Sequence, residues 1–187
     1  MLKIAITAPE MRADEARIIV EILDAGWNYV HLRHPDASLR DMRNLIEAIP
    51  QRLYRRLKLH GHFDLLNDFN LGGVHLNRRC PTAPASFRGE VSRSCHSLDE
   101  VMRYAPECNY VTLSPIFPSI SKPGYVGSFT DDELKALPRD KVIALGGITP
   151  DKLGALAQYP FVGFAVLGYL WGAVGVDEMR RRLSDFR

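Results

Sequence analysis

The stretch LKLHGHFDLLNDFNLGGVHLNRRCP, residues 57–81, carries His60, His62 and His75 beside Asp64, Asp68 and a Gly72-Gly73 step. His31, His34 and His96 bring the histidines to six in a chain of 187 residues. Imidazole titrates near neutrality, so it serves as a general acid/base or, when neutral, as a ligand for zinc, copper or nickel. Carboxylates at strand ends would instead suit a hard cation. Which chemistry applies depends on the elements that position these side chains.

Short β-branched apolar runs recur at 3–7, 29–33, 57–61, 73–77, 91–95, 110–114, 141–145 and 161–167. Helical spacing fills most of the gaps. Ala16, Ile19, Val20 and Leu23 form one stripe that stops at Gly26. Met42, Leu45, Ile46 and Ile49 form another, with Ser38 placed to cap it. Ser97 with Glu100 reads as a capping box, and Thr149-Pro150 as a cap with proline at the first helical position. Eight strands with interleaved helices predict an α/β fold, a (β/α)8 TIM barrel that takes residues 1–187 as a single domain. The chain is short for that fold. HFDLLNDFNLG, between the third and fourth strands, has room for a turn or two of helix, so a shortened unit is expected there.

Barrels bind ligands at the C-terminal ends of their strands. All six histidines fall at or just beyond the ends of four adjacent strands, the second to the fifth, with Arg33 ending the second and Ser94 the fifth. His96, beside Ser94 and just before a helix, is the candidate acid/base. His75 alternates with Val74 and Leu76 and reads equally as a satisfied, half-buried histidine; His62 reads as a loop residue. Gly146-Gly147 follow the seventh strand and Leu167-Gly168 the eighth, each leading into a helix. Such turns offer free N–H groups to a phosphate, with plain turn glycines as the alternative. The loop SPIFPSISKPGYVG, 114–127, has the hydroxyls and the Lys122 ammonium to close over an anion.

The composition removes other classes. A net charge of +2 is too small for a nucleic-acid footprint, and the basic clusters at 52–58 and 180–182 read as solvated helix faces. Cys80, Cys95 and Cys108 form no C-x-x-C pair, which fits a reducing compartment. The longest uncharged stretch, 161–176, is shorter than the roughly 20 residues that span a bilayer. The N-terminal apolar run is too short for a signal peptide. The expectation is a cytoplasmic protein with a phosphorylated small-molecule substrate, no nucleic-acid or membrane partner, and an oligomeric state left open, homodimer included.

Several motifs resemble those of the thiamine phosphate synthase (pyrophosphorylase) family and its thiazole tautomerase relatives. HLRHPDAS is similar to the family's Q-L-R-x-K segment, GGVHLNRRCP to G-V-H-L-G-Q-x-D, SRSCHSLDEV to S-x-H-S-x-x-E, and YVTLSPIFPSISKPG to Y-x-x-x-G-P-I-F-x-T-x-T-K. IALGGITP and GFAVLG resemble its two phosphate loops. The resemblance implies a (β/α)8 barrel and a choice of activities. The synthase joins a hydroxymethylpyrimidine diphosphate to a thiazole phosphate, with magnesium held by two aspartates. In the spacing of this chain those aspartates fall on Gly61 and Cys80, the family lysine on Pro35 and its glutamine on His31. Asn67-Asp68 is out of register for the metal pair; His60-Gly61 takes its place.

Arg33, Ser94, His96, Lys122 and the phosphate loops remain, and Ser119 and Ser121 stand at the family's threonines. The resemblance therefore implies a tautomerase-like enzyme that needs no cofactor. His96 would be catalytic, and His31, Arg33, His60, Ser94, Ser119, Ser121 and Lys122 would bind substrate. Gly146, Gly147, Leu167 and Gly168 would bind phosphate. The alternatives are a divergent magnesium-dependent synthase, using Asp64 or Asp68 if the register shifts; a non-catalytic phospho-ligand binder; and a transition-metal site in which His60 and His62 share a face with His31.

Overall fold

A computed structural model describes residues 1–118 and 129–186. Eight parallel strands close into one barrel in chain order. They are β1 (Leu2–Ile6), β2 (Tyr29–Leu32), β3 (Leu57–Leu59), β4 (Gly73–Leu76), β5 (Glu90–Cys95), β6 (Tyr110–Leu113), β7 (Val142–Leu145) and β8 (Gly163–Val166). β8 pairs back onto β1, with Ile4 opposite Ala165, and the (β/α)8 expectation holds. The helices are α1 (Glu15–Asp24), α2 (Leu39–Glu47), α3 (Leu98–Tyr104), α4 (Asp131–Lys135), α5 (Leu153–Leu156), α6 (Gly168–Trp171) and α7 (Gly175–Ser184).

Local chemistry explains most boundaries. Ser38 Oγ accepts from the Asp41 N–H, so α2 starts where an N-cap was expected. Thr149 also stands at a helix start, before Pro150, but its hydroxyl bonds Asp151 Oδ1 and caps nothing, and that helix opens as a 3-10 turn. The expected shortened unit is present: Phe63–Asn67 form a single 3-10 turn between β3 and β4. The β4–β5 connection, residues 77–89, lacks a helix as well.

Two apolar layers form. The larger lies between the barrel and its helices. α1 buries Ile18, Ile19, Ile22 and Leu23, a face turned slightly from the expected stripe, leaving Ala16 and Val20 partly buried. Trp27 meets Phe164 and Phe186 edge-on, at ring centroid separations of 6.0 and 5.4 Å. The smaller layer fills one half of the barrel interior with Ile4, Ile6, Tyr110, Ile143 and Ala165. The other half is polar, because the inward positions of β2 to β6 hold Tyr29 and His31, Lys58, His75, Ser92 and Ser94, and Thr112. Side chains alternate across a strand, so these residues, two apart, share one face.

Candidate active site

The polar half is built in tiers. At its base Lys58, only 1% exposed, pairs with Glu90 and sits 4.3 Å from the centre of the Tyr29 ring. Tyr29 Oη donates to Glu90 Oε1 at 3.3 Å. The tier has space because β4 opens with glycine: a Cβ on Gly73 would lie 2.9 Å from Lys58 Cδ and 2.3 Å from the Glu90 carbonyl oxygen.

Above it three imidazoles meet. His31 Nδ1 lies 2.9 Å from His60 Nε2, and His31 Nε2 lies 2.7 Å from Tyr110 Oη. His75 stacks on His60 with centroids 4.3 Å apart. The tautomer of His75 follows from its neighbours. Ser92 Oγ donates to the Val74 carbonyl, so it accepts from His75 Nδ1 at 2.8 Å; the lone pair is then on Nε2, where Ser94 Oγ donates at 2.8 Å. Burial holds all three imidazoles below the usual histidine range, His75 at about 3, and their mutual repulsion adds to the effect on His31 and His60. Burial likewise keeps the Tyr110 phenol protonated.

At the mouth stand Arg33 and His96. The Arg33 guanidinium has no hydrogen-bond partner among the described residues, and its charge reaches His60. His96 is exposed in the turn between β5 and α3. Its Nδ1 lies 3.1 Å from the Ser114 carbonyl oxygen and 3.3 Å from Ser114 Oγ; the carbonyl accepts only, so the tautomer that satisfies the shorter contact has the proton on Nδ1 and leaves Nε2 as the basic nitrogen. Glu100 fixes the backbone here. Its carboxylate accepts from the His96 N–H at 2.6 Å while Ser97 Oγ accepts from the Glu100 N–H, so the expected capping box closes one residue earlier, on the histidine.

The loops after β7 and β8 leave adjacent strands at the same end of the barrel. Gly147 has φ +64°, and a Cβ there would lie 2.3 Å from the Pro118 carbonyl oxygen, so the turn admits only glycine. The N–H groups of Gly146, Gly147 and Gly168 find no acceptor among the described residues. Thr112 Oγ1, fully buried on the inward face of β6 beside Ser94, also lacks a partner among them. This rim of unsatisfied donors is what an anionic ligand would complete.

Residues 4–170 match the model of a family described as thiamine monophosphate synthase. The chain belongs to the thiamine monophosphate synthase family. A solved thiamine phosphate pyrophosphorylase from Bacteroides thetaiotaomicron is 32% identical, with 100% of this chain and 95% of that one covered at a TM-score of 0.89. A thiamine-phosphate synthase of Chlorobium luteolum is 29% identical over 178 residues, 89% of this chain and 84% of its own length. One from Parasynechococcus marenigrum is 28% identical over 169 residues, 81% of this chain; the aligned part spans only 47% of that protein's length.

Within a thiamine monophosphate synthase barrel, the sequence candidates fall into groups. The structure brings His31, His60 and Ser94 together, and Arg33 and His96 stand at the mouth. Ser119, Ser121 and Lys122 lie outside the described residues. His62 is no part of the cluster. β3 ends at Leu59, His62 adopts φ 52°, and strand alternation does not reach it; His75 takes the place expected of it beside His31. His34 is buried away from the site, with Nε2 2.7 Å from Glu15 Oε1 and Nδ1 facing the Pro9 carbonyl. Asp68 pairs with Arg43 of α2, so Asn67-Asp68 are not at a strand end. Tyr110, Ser92, Thr112 and Ser114 were not singled out from the sequence, although their spacing by twos in β5 and β6 was visible there.

Gly61 and Cys80 face each other: a Cβ on Gly61 would lie 3.7 Å from Cys80 Sγ. They meet as a metal pair would, but glycine and a thiol do not fit magnesium, which takes carboxylate oxygens and water.

Proposed function

We propose that the protein binds a thiazole phosphate in the barrel mouth and moves a proton on it without magnesium. The observation that carries this reading is the pairing of Gly61 with Cys80, which offers no carboxylate, beside a mouth where His96 is exposed and its Nε2 has no partner among the described residues. The substrate phosphate would rest on the backbone N–H groups of Gly146, Gly147 and the Leu167-Gly168 turn. Arg33 would supply charge, as would Lys122, which follows β6 in the sequence and lies outside the described residues. His96 Nε2 would take a proton from one position of the thiazole and return it to another, leaving the composition unchanged. Ser114 holds the protonated Nδ1 throughout, which fixes the ring for both transfers.

The names of the relatives favour a second reading, a thiamine phosphate synthase that holds its magnesium by other groups. One set of assays separates the two. Isomerisation of the thiazole phosphate should proceed in the presence of a chelator and fall by about 10²–10⁴-fold in His96→Ala. Undiminished activity in that variant would overturn the His96 role. Magnesium-dependent formation of thiamine phosphate from the two synthase substrates would favour the second reading. Tight binding of the thiazole phosphate with no turnover would reduce the protein to a binder.

A further inference from the structure

We propose that His31, His60 and His75 form a binding site for a divalent transition-metal ion of the zinc class. Each offers a ring nitrogen, and the three nitrogens lie within 4.8 Å of one another. A tetrahedral ion with bonds of about 2.0–2.1 Å spaces its ligand atoms by about 3.3–3.4 Å, so side-chain rotation of an ångström or so completes the set. The site uses the polar wall of the barrel rather than the Gly61–Cys80 pair, and the proton transfer assigned to His96 does not depend on it.

Three features favour a metal over a plain hydrogen-bonded cluster. First, no carboxylate contacts any of the three rings among the described residues, so nothing balances a proton there and each neutral imidazole has one lone pair; an ion would displace the Ser94 O–H from His75 Nε2 and the proton shared by His31 Nδ1 and His60 Nε2. Second, the outer partners are in place. Tyr110 Oη holds His31 Nε2 and Ser92 Oγ holds His75 Nδ1, which leaves His31 Nδ1, now against His60 Nε2, and His75 Nε2, now against Ser94 Oγ, as the nitrogens to face an ion. Metal-bound histidines are held by such partners. Third, three nitrogens leave a fourth position open, and His60, only partly buried, stands on the mouth side. Water or a donor atom of a bound molecule would fill that position. Imidazole donors select zinc, copper, nickel or cobalt and disfavour magnesium.

The test uses the full chain without a histidine tag, stripped with a chelator and titrated with zinc by calorimetry. One ion per chain is expected, undisturbed by a large excess of magnesium. Cobalt(II) in its place should give the intense visible absorption of a tetrahedral site. His60→Ala should weaken zinc binding by about a hundredfold or more, and Tyr110→Phe or Ser92→Ala by about 10–100-fold. His62→Ala should change nothing. Near-UV circular dichroism establishes that each variant is folded. Absence of saturable binding by the folded wild type, a weak octahedral cobalt spectrum, or zinc binding unchanged in His60→Ala would each overturn the site.

Discussion

His31 Nδ1 stands 2.9 Å from His60 Nε2, and His75 packs against both rings. All three pKa values are depressed, so the native protein refuses protons that the unfolded chain accepts below about pH 6.5. Stability from this cluster is therefore fully present above that pH and declines as the pH falls toward the folded value, about 3 for His75. The buried His31 and His75 should each withdraw about 1.4 kcal/mol per pH unit in this window. Urea unfolding between pH 7 and 5 measures it, and His75→Gln should flatten the slope by about one proton. A slope unchanged by that substitution would mean the imidazole is protonated in the fold.

Gly61 and Cys80 invite reconstruction. Space around the Gly61 Cβ position is open except for Cys80 Sγ at 3.7 Å. The double variant Gly61→Asp/Cys80→Asp should bind magnesium measurably more tightly than the wild type by calorimetry. If thiamine phosphate formation appears with it, the pair is what separates this chain from a synthase. No gain in magnesium affinity would mean that further groups around the site are needed.

The ion pair under the cluster should be costly to break from one side. Lys58 is 1% exposed and Glu90 40% exposed, so removing the carboxylate strands a charge in the barrel. Because Glu90 is partly solvated and Lys58, its pKa already lowered by burial, can shed its proton, Glu90→Gln should destabilise by about 1–3 kcal/mol, whereas Lys58→Met/Glu90→Gln should recover much of that loss. Chemical denaturation of the two variants makes the comparison. Equal losses would mean that the pair acts through packing rather than charge.

Gly147→Ala should be unfavourable twice over. The left-handed φ costs about 1–3 kcal/mol, and the added Cβ meets the Pro118 carbonyl oxygen at 2.3 Å. A lower thermal midpoint is expected, together with weaker binding of inorganic phosphate. Gly154→Ala, where nothing lies within 4 Å of the new Cβ, serves as the control and should not lower stability.

The sequence by itself determined the eight strands, the shortened third unit and the cap at Ser38, because alternation and helical spacing are local patterns that each segment carries alone. It also placed Arg33, Ser94 and His96 at strand ends, since strand ends are read from the same patterns. Only the tertiary structure decided which histidines meet. That choice depends on where β3 leaves the sheet, at Leu59, and on the pairing that sets Lys58 opposite both His31 and Gly73. His75 then joins His31 and His60, His62 turns away, and His34 goes to Glu15 of α1. Barrel closure brings His31 and Tyr110, 79 residues apart, into contact, and the pattern within a single strand carries no record of its partners across the barrel.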